Sequence, residues 1–133
     1  MYISNKNREL IKNKFGGKCA YSGTALEPDW QIEHINPVVR DSSGGMLFNE
    51  NDCIENMVPV QKIINHYKHS LTLNDFRLYF LGKLHIRLKK LPKNPRTEKS
   101  RKRKEYLLKI AGYFGITEEN PFNGKFYFET LQK

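Results

Sequence analysis

The chain has 133 residues, 38% hydrophobic and 12% aromatic, which is enough for one domain with a buried core and too apolar for wholesale disorder. Its two cysteines, Cys19 and Cys53, are too few for a disulfide framework or a four-cysteine zinc site, and no apolar run approaches the roughly 20 residues of a membrane span. With a net charge of +9 and no signal-peptide-length apolar stretch in MYISNKNRELIKNKF, a soluble protein without a membrane partner is expected, in a reducing, cytoplasmic setting.

In chain order, the pattern predicts a helix over Asn5 to Phe15, with Leu10, Ile11 and Phe15 on one side and Gly16-Gly17 ending it. Residues 18–58 are broken by turn chemistry at 22–23, 27–29 and 42–45, with strand-like pieces at Gln31–Ile35 and Ile54–Val58, and read as a hairpin-type region. A helix is expected from Pro59 or Val60 to about His69, with Pro59 in its first turn. A longer one begins near Thr72–Asp75 and carries Phe76, Phe80, Leu84, Leu88 and Leu91 at helical spacing, until Leu91-Pro92 breaks it. A basic helix follows from about Thr97 to Phe114, burying Leu107, Ile110, Ala111 and Phe114, with Gly115 as its cap. Asn123-Gly124 turns into Phe126-Tyr127-Phe128, expected as a short last strand.

The charge is localised. Residues 1–82 are balanced, so the whole excess lies in 83–133, and Lys83 to Lys104 holds eleven Lys/Arg against one acid, Glu98. Such a segment is either a solvated, mobile linker or a surface for a polyanion, most simply nucleic acid gripped through its phosphates. Arg87, Lys89, Lys90, Arg101, Lys102, Arg103 and Lys104 are its candidate contacts.

The chemistry is carried elsewhere. Residues 32–37 read IEHINP, and after them come Gly44-Gly45 and ENMVPVQKIINHYKHS, in which Asn56, Pro59, Asn65 and Lys68 space out as N-x-x-P-x-x-x-x-x-N-x-x-K. Together with C-x-x-x-G at Cys19–Gly23, this ordered set, spanning Lys18 to His69, resembles the HNH nuclease family. The variant with Asn in the last position and no zinc knuckle is similar to the HNH domains of CRISPR effector nucleases and to small phage-type HNH nucleases. The resemblance implies an α+β fold with a ββα-metal core at 18–70, within a single domain 1–133. Residues 71–133 would be a basic extension with flanking helices and the short C-terminal strand.

It also implies a divalent-metal-dependent DNA endonuclease using one Mg²⁺ or Mn²⁺ ion and leaving 5′-phosphate and 3′-hydroxyl ends. The residue types suit that task. An imidazole such as His34 can take a proton from water near neutral pH. Carboxylate and amide oxygens such as those of Glu33 and Asn65 are hard ligands for such a cation. By the resemblance, Asn56 holds the loop and orients His34, and Lys68 contacts a phosphate oxygen. His66 and His69 neighbour Asn65, and either stands as an alternative to it. The backbone must then leave regular strand geometry near His34, because adjacent strand residues point to opposite faces.

Many HNH proteins hold a structural zinc with two C-x-x-C pairs. Here the corresponding positions are Cys19, Ser22, Gln61 and Ile64, so no structural zinc is expected, and Ile63, Ile64, Tyr67 and the Phe76 to Leu91 stripe are the candidates to replace the clamp. Two other readings share these features: a non-catalytic nucleic-acid-binding module on the same fold, and a nuclease toxin. RNA as substrate is consistent with the same chemistry. A monomer with one such site is expected to nick one strand, and cutting both needs a dimer or sequential nicking.

Overall fold

Helix α1 (Asn5–Lys12) starts at Ser4, whose hydroxyl accepts the Asn7 N–H, and a 3-10 turn (Asn13–Phe15) runs on to Gly16, in the left-handed region at φ 63°. In the computed structural model, residues 3–36, 39–40, 46–47 and 52–131 are described, at 39–40 and 46–47 by their backbone alone. Pro37 and Gly44-Gly45 of the ordered motif lie outside them.

Strand β1 (Gln31–His34) is followed by the short pair β2 (Val39–Arg40) and β3 (Met46–Leu47), a 3-10 turn (Ile54–Asn56) and β4 (Met57–Val60). β1 and β4 run antiparallel in the register Gln31↔Val60, Ile32↔Pro59, Glu33↔Val58 and His34↔Met57, and β2 pairs with β3 in a second two-stranded sheet. After β4 comes α2 (Lys62–Lys68). The helix expected to open at Pro59 or Val60 therefore opens at Lys62. MetValProVal is fully buried and completes the strand, which tolerates a proline because its missing N–H falls on the side away from β1. The Pro59 carbonyl accepts the Ala20 N–H at 2.8 Å.

The chain then continues through α3 (Leu73–Asp75), a π-helical stretch (Phe76–Leu81), α4 (Gly82–Lys90) and α5 (Glu98–Phe114). Thr97 caps α5, its hydroxyl accepting the Ser100 N–H at 3.1 Å, and Gly115 ends it at φ 68°. The last element is a helix, α6 (Tyr127–Thr130), and not the expected strand. Phe-Tyr-Phe has strand propensity, but the Glu129 carboxylate accepts the Phe126 N–H, and the first helical N–H groups, of Tyr127 and Phe128, go to the carbonyls of Tyr21 and Ala20.

The described fold is thus α+β and divides into two compact units. The first comprises Met1–Leu73 and the returning Phe126–Lys133; it is built around Ile11, Trp30 and Met57, with Ile3, Leu26, Ile32 and Ile54 packed against them. Tyr21 and Phe126 pack ring to ring at 5.1 Å. The second, Asn74–Lys125, buries Phe76, Leu81, Leu84, Leu88, Leu107, Ile110, Ala111 and Ile116. Among the described residues no helix is long and apolar enough to cross a membrane.

Gln61 and Ile64 are both buried. The Gln61 amide accepts the Glu27 N–H at 3.0 Å and donates to Thr24 Oγ1 and the Ala25 carbonyl, so a hydrogen-bonded side chain ties residues 24–27 to the start of α2.

Candidate active site

β1 and α2 face each other within the first unit across an open cleft of about 390 Å³, lined by Gln31, Glu33 and His34 on one side and Lys62, Asn65, His66, His69 and Ser70 on the other. The spacing Lys62, Asn65, His66, His69 is one helical face. Glu33 and His34 both border this cleft although they are strand neighbours. β1 ends at His34, and the Glu33 side chain folds back so that Oε1 accepts the His34 backbone N–H at 2.7 Å.

The bend after His34 is fixed from the turn before β4. The Ile35 N–H donates to the Asn56 carbonyl at 3.0 Å, and the Asn56 amide pairs in both directions with the backbone of Asn36, accepting its N–H and donating to its carbonyl at 2.9 Å each. Asn65 Nδ2 donates to Gln31 Oε1 at 2.7 Å, which ties α2 to β1 and leaves the amide oxygen of Asn65 with no hydrogen bond among the described residues.

Lys68 departs from its expected role. It is 0% exposed, and its ammonium lies 3.5 Å from Glu33 Oε2 and 3.5 Å from the His34 carbonyl. A side chain so enclosed holds Glu33 and does not reach a phosphate; the exposed cation on this cleft is Lys62. Burial pushes the Glu33 carboxyl above the usual carboxylate range, opposed by the charge of Lys68 and the His34 N–H. Burial likewise lowers the Lys68 ammonium, opposed by Glu33. Glu33 Oε2 remains buried without a hydrogen bond of good geometry among the described residues.

The His34 ring is partly exposed, and its Nε2 lies 3.0 Å from Asp52 Oδ1. The hydrogen bond to His34 holds the Asp52 carboxyl below its ordinary range. Asp52 is not among the residues the sequence pattern singles out; its one signal there is an acid at the head of the segment leading to Asn56. His69, which ends α2 with a positive φ of 54°, contacts Ser70 Oγ through Nδ1 at 3.1 Å. Among the described residues no group of three or more His, Cys, Asp or Glu could hold a metal ion.

The basic candidates lie in the second unit and divide by environment. Lys89, Lys90, Arg101, Lys102 and Arg103 are exposed, Arg101 and Lys102 pairing with Glu98 at 2.9 and 3.9 Å. Arg87 is half-buried: its guanidinium donates to the carbonyls of Phe80 and Tyr79 at 2.9 Å each and lies 5.5 Å from the centre of the Phe80 ring, which holds it against the end of the π-helical stretch. Lys104 donates to the carbonyls of Pro92 and Lys93, bridging the loop before α5. Compared with known proteins, the chain matches no family, no curated protein and no solved structure.

Proposed function

We propose that the chain is a divalent-metal-dependent endonuclease of the HNH kind, hydrolysing phosphodiester bonds in DNA at the cleft between β1 and α2. The observation that carries this reading is that Glu33, His34 and Asn65, three residue types suited to metal-assisted phosphodiester hydrolysis, border one open cleft. In this reading β1, β4 and α2 form the ββα-metal core.

The donor set fits a hard cation such as Mg²⁺ or Mn²⁺. Glu33 supplies a buried carboxylate oxygen that lacks a hydrogen bond, and Asn65 an amide oxygen that no described donor satisfies. These two side chains would hold the ion, which when bound draws charge from the phosphate and the leaving oxygen. His34 takes the proton from the attacking water, its ring reachable from solvent. Asn56 keeps the bend after His34 in place by its two bonds to Asn36, a positioning role. Lys68 favours the ionised form of the Glu33 carboxylate and aims it, and Lys62 is the cleft cation able to meet a substrate phosphate. The exposed cations Lys89, Lys90, Arg101, Lys102 and Arg103 supply affinity for the nucleic-acid backbone without reading its sequence.

Supercoiled plasmid incubated with the protein in EDTA, Mg²⁺, Mn²⁺ or Zn²⁺ tests the reading. Nicked or linear product is expected with Mg²⁺ or Mn²⁺ and none in EDTA. Intact plasmid under every metal, with DNA binding retained, would overturn it in favour of a binding module.

A further inference from the structure

Resting on the endonuclease reading, we propose that Asp52 is the positioning residue of His34: its carboxylate accepts the imidazole Nε2–H, fixes the Nε2–H tautomer and leaves Nδ1 as the nitrogen that takes the proton from water. A carboxylate is an acceptor only, so at 3.0 Å from Oδ1 a neutral imidazole must present Nε2 as its donor. His34 Nδ1 then carries the lone pair, and it has no protein partner among the described residues.

The surrounding backbone shows how an acid 18 residues away comes to lie on this ring. Met57 stands opposite His34 in the β1–β4 register, five positions past Asp52. Between them the chain makes one tight turn, closed by the Asn56 N–H to the Cys53 carbonyl at 3.0 Å. That turn is pinned to the bend after His34 by the paired bonds of Asn56 and Asn36. Strand pairing on one side and the clamp on the other thus hold the Asp52 carboxylate against the ring edge. Asp52 is half-buried, with 16% of its side chain exposed, so the folding of each variant has to be matched before the ring's orientation is compared. The arrangement is that of a base held in one tautomer by an acid that does not itself take the proton.

The test pairs two readouts on the full chain, for wild type, Asp52→Ala and Asp52→Glu, with thermal melts to match folding. The first is imidazole ¹⁵N NMR of the metal-free protein, followed as a pH series to its alkaline plateau. The wild type is expected to show the Nε2–H tautomer at His34, and Asp52→Ala a shift toward a mixture of the two. The second is steady-state plasmid cleavage with Mg²⁺. Asp52→Ala is expected to lose about 100-fold or more in kcat with KM changed less than about twofold, and Asp52→Glu to recover part of the loss. An unchanged His34 tautomer in Asp52→Ala, or wild-type kcat in that variant, overturns the proposal. A wild type that cleaves nothing under any divalent metal overturns the nuclease reading and the catalytic part of this proposal with it; the NMR readout decides the hold on His34 independently.

Discussion

Lys68 and Glu33 form a buried ion pair, and such a pair matters most when one member is removed. Without the ammonium the carboxylate is enclosed with no counter-charge, so Lys68→Met is expected to destabilise the fold by about 3–5 kcal/mol. Adding Glu33→Gln should recover much of that loss, because two residues in one pair do not act additively. Urea denaturation of both singles and the double measures this, and a cost below about 1 kcal/mol for Lys68→Met would contradict it. Glu33, His34, Asn56 and Asn65 are legible in the sequence because the motif is a matter of residue type and order along the chain. The burial of Lys68 and the approach of Asp52 are not. Both depend on contacts across 34 and 18 residues, created only when β4 pairs with β1 and α2 packs beside it. Lys68 and Lys62 look alike as letters, and only the packing makes one an internal counter-ion and the other a cleft cation.

At the scale of elements, helices announce themselves where periodicity and caps agree. Ser4 and Gly16 bracket α1 with its 3-10 turn, and Thr97 and Gly115 bracket α5, within a residue of where the pattern puts them. Two elements depart from their local pattern because a tertiary preference overrides it. Pro59 is a helix-starter by preference, yet it lies in β4 across from Ile32. Phe126-Tyr127-Phe128 prefers a strand, yet the carboxylate of Glu129 and the carbonyls of residues 20–21 draw it into α6. The π-helical stretch has no sequence pattern that separates it from an α-helix, but it depends on one residue. A Cβ on Gly82 would sit 2.8 Å from the Arg77 carbonyl oxygen. Helix propensity alone favours alanine over glycine by about 1 kcal/mol, but the clash opposes it, and Gly82→Ala is expected to destabilise by about 1–2 kcal/mol. A stabilised variant in urea would show that the turn relaxes into an α-helix at no cost.

For the whole molecule, the excess positive charge becomes an argument about partners only once cations held by backbone carbonyls are told apart from exposed ones. Arg101, Lys102 and Arg103 are exposed on α5, whereas Arg87 is committed to backbone carbonyls. Replacing the first three with Gln should lower the slope of log affinity for DNA against log salt by about 0.9 for each phosphate no longer neutralised, while Arg87→Gln should lower stability and leave the slope unchanged. A triple variant with the wild-type slope would remove this surface from the account. Whether Glu33, His34 and Asn65 make one metal-dependent hydrolytic site is decided by the plasmid-nicking rate in Mg²⁺ of wild type, His34→Ala and Asn65→Ala at matched folding and DNA binding. Metal-dependent nicking by wild type and a drop of about 100-fold or more in both variants are expected. Both variants cutting at the wild-type rate would contradict such a site.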